Sequence, residues 1–184
     1  SRRIDDAAAM DTLHTALSGK TVLVLAPGAT LGTPEGRAAA GNAGADVVIS
    51  ANFCPEFCTP DYAFFSSSKR YDKVDALPCP AVLTSNLRTD NPLTVNYDRL
   101  CTADAPQGNS VLMLLRLLRL CGASKALLAG ADGYRGAVAA LYKLNSDLKG
   151  NVIVFSRRGE NEYTPEERQA ELLPRAYLLA FSNG

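Results

Sequence analysis

The sequence has no excess of charge of either sign: 19 basic residues balance 19 acidic ones over 184 residues. It also has no run of five or more like charges, so nothing in it predicts the basic surface that nucleic-acid binding requires. Its most apolar stretch, VLMLLRLLRL (111–120), contains two arginines and is shorter than the roughly 18–20 residues of a membrane span. We therefore expect neither a nucleic acid nor a membrane as a partner.

Histidine is scarce, and the cysteines form no regular pattern. The sequence has five cysteines at irregular spacing, and this odd number predicts free thiols rather than a disulfide framework. Because His14 is the single histidine, the sequence predicts no closed zinc site and no serine–histidine or cysteine–histidine nucleophile pair. The acidic, amphipathic N-terminus is not a secretory signal, and free cysteines are typical of the cytoplasm. We expect no metal and no cofactor in this domain.

The glycine-rich phosphate signatures are also missing. The segment VLVLAPGATLGTPEG (22–36) is typical of a buried strand, a turn and the start of a helix. Its turn contains neither Gly-x-Gly-x-x-Gly nor the Gly-Lys-Ser/Thr of a P-loop. A nicotinamide dinucleotide is therefore not indicated, although the same arrangement of strand, turn and helix can hold other anions.

Short, continuously apolar runs alternate with helical segments along the chain, which is typical of strands buried on both faces. Strands are predicted over 21–26, 46–51, 61–66, 81–85, 125–130 and 151–156, and helices over 34–44, 108–121 and 136–148, with a short turn of helix near 69–75. The pattern predicts one α/β domain over 1–184, a three-layer Rossmann-like fold whose mostly parallel sheet has helices on both faces. We expect an outer N-terminal helix over 1–18, a core over 20–156, and a polar loop, helix and tail over 157–184.

Each predicted strand is followed by small or hydrogen-bonding residues. Ligands of open parallel sheets bind beyond the carboxyl ends of the strands, so these residues are the candidate ligand contacts. They are Pro27, Gly28, Thr30, Asn52, Ser66, Arg70, Ser85, Asn86, Asn109, Ser110, Asp132 and Tyr134. Taken singly, each has a structural explanation as a turn or cap residue, but together they predict a polar crevice along one edge of the sheet.

The chemistry of this crevice favours an anion. Gly28 and Thr30, beside the helix start at 33–35, are expected to hold a phosphate group. Arg70 is a second candidate phosphate contact. Asn52 and Asn86 would orient a sugar or a base, and Asp132 would accept a hydrogen bond from a ligand hydroxyl.

Residues for catalysis are few. Asp61, Asp90 and Asp132 are the candidate acids, bases or metal ligands. Asp61 opens a predicted strand and is expected at the opposite edge of the sheet from the crevice. Asp132 alone remains, so the sequence does not predict that this domain is catalytic by itself.

The segments LVLAPGATL, VVISANF, DYAFFSSSKRYD, LTSN, VNYDRL and NSVLMLLRLLRLCGASKALLAGADGY occur in an order that resembles a bacterial protein family. The similarity covers roughly 20–135 and concerns the C-terminal domain of proteins whose N-terminal half is an aldolase of the 4-hydroxy-2-oxovalerate aldolase and HMG-CoA lyase type. The resemblance implies an aldolase-type TIM-barrel domain in cis, and the lyase chemistry and its divalent metal would belong to that barrel.

A more distant similarity concerns bacterial sialyltransferases and hydroxymethylpterin-pyrophosphokinase-like proteins, which hold a nucleotide on a Rossmann-like sheet. The positions that match are Pro27, Gly28, Asn52, Asn109, Ser110, Gly130, Asp132 and Tyr134. The sialyltransferases use a histidine in their C-terminal part, whereas this chain has none beyond His14.

Three functions follow as hypotheses. The first is an accessory domain of a larger aldolase-type enzyme that binds a phosphorylated or nucleotide-linked small molecule. The second is a transferase that acts on a nucleotide-activated sugar donor. The third is a structural domain, or one that forms a homo-oligomer, without a ligand.

Overall fold

The computed structural model describes residues 2–101, 109–131 and 152–155. Within them, seven strands form one sheet in which every neighbouring pair is parallel. The strands are β1 (Thr21–Leu25), β2 (Val47–Ala51), β3 (Tyr62–Phe65), β4 (Ala81–Thr84), β5 (Thr94–Val95), β6 (Lys125–Ala129) and β7 (Val152–Phe155). Their order across the sheet is β5-β4-β3-β2-β1-β6-β7, which places β1 inside the sheet.

Helices lie between the strands along the chain. The structure has α1 (Ala7–Leu17), a 3₁₀ turn (Ala29–Gly32), α2 (Pro34–Gly41), α3 (Ser68–Tyr71), α4 (Tyr97–Leu100) and α5 (Ser110–Leu120). All six predicted strands and the helices predicted near 34–44, 69–75 and 108–121 are present, with ends shifted by a few residues. Sequence reasoning missed β5 and α4, which are two and four residues long.

The two faces of the sheet are buried by different helices. Val22 and Val24 of β1 belong to a core cluster that includes residues of α1, α4 and α5. Leu23 and Leu25, which alternate with them, belong to a cluster that includes Ala40 of α2. Because successive side chains of a strand point to opposite faces, helices cover both sides of the sheet. The predicted three-layer α/β Rossmann-like fold is confirmed.

Helix α5 is the most buried helix on the face of the sheet to which Val22 and Val24 point, which we name the first face. The side-chain oxygen of Asn109 accepts hydrogen bonds from backbone N–H groups of the first turn, and Gly122 ends the helix with a φ of +74°. Asn109 therefore acts as a cap residue. Arg119 is exposed, whereas Arg116 is half-buried and donates a hydrogen bond to the carbonyl of Leu100.

The N-terminal helix is shorter than the sequence predicts. It begins at Ala7 rather than near residue 1, because residues 2–6 bind to the ends of β4 and β5. Leu13 and Leu17 are completely buried in the core cluster of the first face. Asp11, Thr12 and Thr15 are exposed, so the helix is amphipathic and covers one face of the sheet.

Two aspartates fix the opposite, amino-terminal edge of the sheet. Asp46 accepts a hydrogen bond from the backbone N–H of Thr21 at 2.9 Å, and Asp61 accepts one from Val48 at 2.8 Å. Each aspartate directly precedes a strand and caps the neighbouring one. The prediction that Asp61 lies away from the carboxyl edge is confirmed.

All five cysteines are free thiols, as the sequence predicts. No helix in the described part of the chain combines the length and the apolar character that crossing a membrane demands. The helix predicted over 136–148 and the loop, helix and tail predicted over 157–184 lie outside the described residues.

Candidate ligand site at the carboxyl edge of the sheet

The strand order reverses at the carboxyl end of β1. From β1 the chain proceeds through β2 to β5 on one side and then places β6 on the other side. The far end of α5 lies at the amino edge, since the carbonyl of Gly122 accepts a hydrogen bond from Gly19, two residues before β1. Helices α2 and α5 therefore both begin at the carboxyl edge, on opposite faces of the sheet. Such a reversal of strand order is where open α/β sheets bind their ligands.

The Pro27–Gly28 turn is fastened to the end of β6. The backbone N–H of Ala26 donates to the carbonyl of Ala129 at 2.8 Å, and that of Gly28 donates to the carbonyl of Gly130 at 2.9 Å. The Gly28 carbonyl then accepts from Leu31 in the 3₁₀ turn. Because the N–H of Gly28 is already bonded, it is not a donor for a phosphate group in this structure.

Gly130 is the glycine that this corner requires. Its φ is +75°, and a Cβ at this position would lie 2.2 Å from the carbonyl oxygen of Ala26. It would also lie 2.9 Å from two side-chain atoms of Leu31. The absence of a side chain at residue 130 therefore allows the ends of β1 and β6 to approach each other.

Asn52 has an unusual backbone at the end of β2. It is the non-glycine residue with a positive φ, +60°, in the described part of the chain. Its N–H donates to the carbonyl of Phe64, and its side-chain oxygen accepts from the N–H of Ser66 at 3.0 Å. These bonds fix the amide, and its Nδ2 has no hydrogen-bond partner among the described residues. Asn52 therefore presents a fixed, unused donor.

Three of the predicted residues meet around the backbone of Ser66. The Ser66 N–H bonds to Asn52, and the Ser66 carbonyl accepts from the side-chain nitrogen of Asn86 at 2.9 Å. The side-chain oxygen of Asn86 is bonded to the hydroxyl of Thr84. Asn86 thus joins the ends of β3 and β4, and its polar atoms are used within the protein.

Ser85 has a structural role. Its side chain is completely buried, and its hydroxyl oxygen accepts a hydrogen bond from the N–H of Tyr97 at 3.0 Å. Its own N–H donates to the carbonyl of Val95, and its carbonyl accepts from Arg2. All its polar groups have partners, so Ser85 is not open to a ligand in this structure.

The two helices that begin at this edge differ in charge. Thr33 caps α2, Pro34 lacks an N–H, and the first turn contains Glu35. The first turn of α5 contains no acidic residue. Since the N-terminus of a helix carries partial positive charge, α5 offers the more favourable environment for an anion.

Three polar groups at the carboxyl edge of the sheet remain unused by the described residues. They are the amide nitrogen of Asn52 and the hydroxyls of Ser66 and Ser110. Ser66 is bonded to Asn52, and Ser110 is the first residue of α5, a helix that contacts β2. Asn109, by contrast, uses its side-chain oxygen as the cap.

The remaining predicted residues are placed as follows. Thr30 lies in the 3₁₀ turn, and Arg70 lies in α3 with an exposed side chain. Asp132 and Tyr134 lie outside the described residues. Asp90 is adjacent to Asn91, whose side chain binds the carbonyl of Ala81 at the start of β4, so Asp90 also lies toward the amino edge.

Sequence reasoning missed Ser50, the fourth residue of β2. Its side chain is completely buried, and its hydroxyl has no hydrogen-bond partner among the described residues. It lies on the α2 face of the sheet, because Ile49 and Ala51 belong to the cluster on the α5 face. The sequence does not reveal that the Ser50 hydroxyl lacks a partner, because most buried hydroxyls in proteins form a hydrogen bond.

Three of the five cysteine thiols do not have the character of activated nucleophiles. Burial raises the pKa of Cys121 to about 11. Burial is also the main cause of the raised pKa values of Cys58 and Cys79, with a smaller contribution from Cys54. These three thiols remain protonated at neutral pH. Histidine, cysteine and carboxylate side chains form no group of three or more that could hold a metal ion in the described ranges.

When the chain is compared with protein-family models, curated proteins and solved structures, nothing matches. The comparisons therefore identify no family. The resemblance to the domain that follows an aldolase-type barrel stays a prediction, and the fold and the edge geometry stand on the structure alone.

Proposed function

We propose that this domain binds a phosphate-bearing or nucleotide-linked small molecule at the carboxyl ends of β1, β2 and β3, against the start of α5. The observation that carries the proposal is the set of three unused polar groups, on Asn52, Ser66 and Ser110, at the carboxyl edge on the β2 and β3 side of the point where the strand order reverses. Small-molecule sites combine a few fixed polar groups in this way on a rigid scaffold.

The proposed phosphate position differs from the one that the sequence favours. Gly28 donates its N–H to Gly130, and Glu35 occupies the first turn of α2. The acid-free first turn of α5 and the neutral donors of Asn52 and Ser110 suit a phosphate better. In this proposal the Pro27–Gly28 turn shapes the crevice, and Asn52 supplies a donor to the ligand.

The family resemblance supplies the wider context of the proposal. We propose that the domain is an accessory to an aldolase-type TIM barrel in the same protein, with the lyase chemistry and the divalent metal in that barrel. The free cysteines suit a reducing compartment such as the cytoplasm. The chemistry of the described edge supports ligand binding rather than catalysis.

The test is a thermal-shift screen of the protein with pyrophosphate, a set of nucleoside mono- and diphosphates, and sugar phosphates. A ligand present at 100 times its dissociation constant stabilises the fold by about 2.7 kcal/mol. The binding constant of the best ligand is then measured for Asn52→Asp. This change keeps an oxygen for the Ser66 N–H but replaces the free donor with negative charge, so affinity should fall at least about tenfold, or about 1.4 kcal/mol.

Asn42→Asp is the matched control. Asn42 follows α2 at the amino edge and is exposed, so the same change of charge there should leave the affinity unchanged. Equal losses for the two variants, or no loss for Asn52→Asp, would contradict the proposed site. Absence of binding by every compound of the screen would favour the structural or oligomerisation alternative.

A further inference from the structure

Residues 2–6 lie across the carboxyl ends of β4 and β5 and form a regular series of contacts. Residues 2, 4 and 6 make hydrogen bonds to the residues that follow these strands. Arg2, Arg3 and Asp5 are exposed, Ile4 is half-buried and Asp6 is buried. An alternation with a period of two is the pattern of an extended peptide held along one side. We name residues 2–6 the N-terminal segment. The residues that bind it, Ser85, Leu87, Asn96 and Arg99, form what we name the segment site.

The first contact recognises a guanidinium group. The Nε of Arg2 donates to the carbonyl of Ser85 at 3.2 Å, and one of its terminal nitrogens donates to the carbonyl of Leu87 at 3.4 Å. Two carbonyls on one turn match the planar, forked donors of arginine. The single ammonium of a lysine does not provide this geometry.

The second contact recognises main chain. The side-chain oxygen of Asn96 accepts from the N–H of Ile4 at 2.8 Å, and the side-chain nitrogen of Asn96 donates to the carbonyl of Ile4 at 2.8 Å. One amide therefore pairs with both polar groups of one residue, as a neighbouring strand would. Asn96 is 6% exposed and directly follows β5, so it cannot easily change its position.

The third contact recognises a carboxylate. The two oxygens of Asp6 accept from the guanidinium of Arg99 at 2.7 and 2.9 Å, and one of them also accepts from the N–H of Asn96 at 3.0 Å. Asp6 is 3% exposed. Paired donors from arginine are the strong, geometrically specific form of a charge-assisted hydrogen bond.

We infer that the segment site is a peptide-recognition site for an extended Arg-x-x-x-Asp sequence, and that the chain's own residues 2–6 occupy it. The carbonyls of Ser85 and Leu87 select the arginine, Asn96 holds the main chain at the middle position, and Arg99 selects the aspartate. The inference does not depend on the proposed phosphate ligand, because it concerns the ends of β4 and β5.

The test uses the full chain with Arg2→Ala and Asp6→Ala, which removes both selected side chains from the tethered segment. The probe is a fluorescent peptide with the sequence of residues 1–7, SRRIDDA. It should bind the double variant at least about tenfold more tightly than the wild type, in which a segment tethered at about millimolar effective concentration competes. A control peptide with alanine at its second and sixth positions should bind at least about tenfold more weakly.

A second measurement covers the case in which the double variant does not fold. In the single variant Arg99→Ala, hydrogen exchange of the Ile4 amide should be at least about tenfold faster than in the wild type. Hydrogen exchange in β1 should stay unchanged, because only the N-terminal segment is released. Unchanged exchange at Ile4 would overturn the inference. So would equal binding of the two peptides to the folded double variant, or exchange of the segment between copies in a dimer instead of occupation by the same chain.

Discussion

The two halves of the carboxyl edge are built from the same residue types but use them differently. At the ends of β4 and β5, the polar groups of Ser85 and Asn96 are bonded within the protein, and residues 2–6 cover them. At the ends of β1 to β3, Asn52 and Ser66 are equally well fixed, yet each retains an unused polar group in the described structure. Polar residues that follow strands are thus of two kinds: some are fully bonded within the protein, and others keep a group that is available to a ligand.

The difference has a physical cause in the topology. The edge strand β5 has a neighbour on one side only, so another segment of chain can satisfy the groups that follow it. Strand β1 lies between β2 and β6, and the two flanking helices begin on opposite faces. Residues 2–6 therefore cover the ends of β4 and β5, the closed half of the edge. They do not bind at the ends of β1 to β3, the open half, which include the reversal of strand order where open sheets bind ligands.

The largest expected effect on stability concerns the corner between the ends of β1 and β6, in the open half of the edge. Gly130→Ala should destabilise the protein by about 2–4 kcal/mol, because the new Cβ would meet the Ala26 carbonyl and the backbone has a positive φ. Gly19→Ala is the matched control: its φ is +72°, and nothing lies within 4 Å of an added Cβ. It should cost only about 1 kcal/mol. Urea unfolding measures both, and equal losses would show that the corner of β1 and β6 is not tightly packed.

The next effect concerns the closed half. Asp6→Asn should cost about 1–2 kcal/mol at pH 7, because it removes a charge-assisted pair whose arginine is 47% exposed and partly screened by water. Its neighbour Asp5→Asn, on an exposed side chain, should cost less than about 0.5 kcal/mol. Urea unfolding of both variants at pH 7 tests the difference.

The pH dependence of this loss has a definite sign. Hydrogen bonds from Arg99 are the main cause of the lowered pKa of Asp6. The stabilisation is therefore complete above the usual aspartate pKa of about 3.9 and is lost as the pH falls through the lower folded value. The gap between wild type and Asp6→Asn should persist at pH 5 and shrink as the pH falls below about 4. A gap that is the same at pH 7 and pH 3 would contradict the ion pair.

The smallest effect has the opposite sign. Ser50→Ala should stabilise the protein by about 1 kcal/mol, because it removes a buried hydroxyl without a partner. Ser124→Ala is the control, since the Ser124 hydroxyl lies 3.1 Å from the carbonyls of both Gly19 and Lys20. Removing this bonded hydroxyl should lower the free energy of unfolding. A loss of stability in Ser50→Ala would show that its hydroxyl has a partner in solution.

Much of the fold could be predicted from the sequence. Continuous apolar runs such as those of β1 and β6 identify buried parallel strands, and Asn109 and Gly122 mark the limits of α5. Two elements, β5 and α4, escaped because a strand of two residues and a helix of four have too little pattern to recognise.

The site was less predictable, because a polar residue type does not reveal its hydrogen-bond partner. Ser85 and Asn52 look alike as residues that follow strands, but only the folded chain shows that Tyr97 and Arg2 occupy the polar groups of Ser85. The contact between Asp6 and Arg99 joins residues 93 positions apart, and local sequence carries no signal for such a pairing.

The central claim is that the open half of the edge, and not the closed half, binds a phosphate-bearing ligand. The most direct test is a titration of the ¹⁵N-labelled protein with pyrophosphate and with the best compound of the screen, followed by amide chemical shifts. We expect shifts at Asn52, Ser66 and Ser110, with Ser85 and Asn96 unchanged. Shifts confined to Ser85 and Asn96, or no shift at either half, would contradict it.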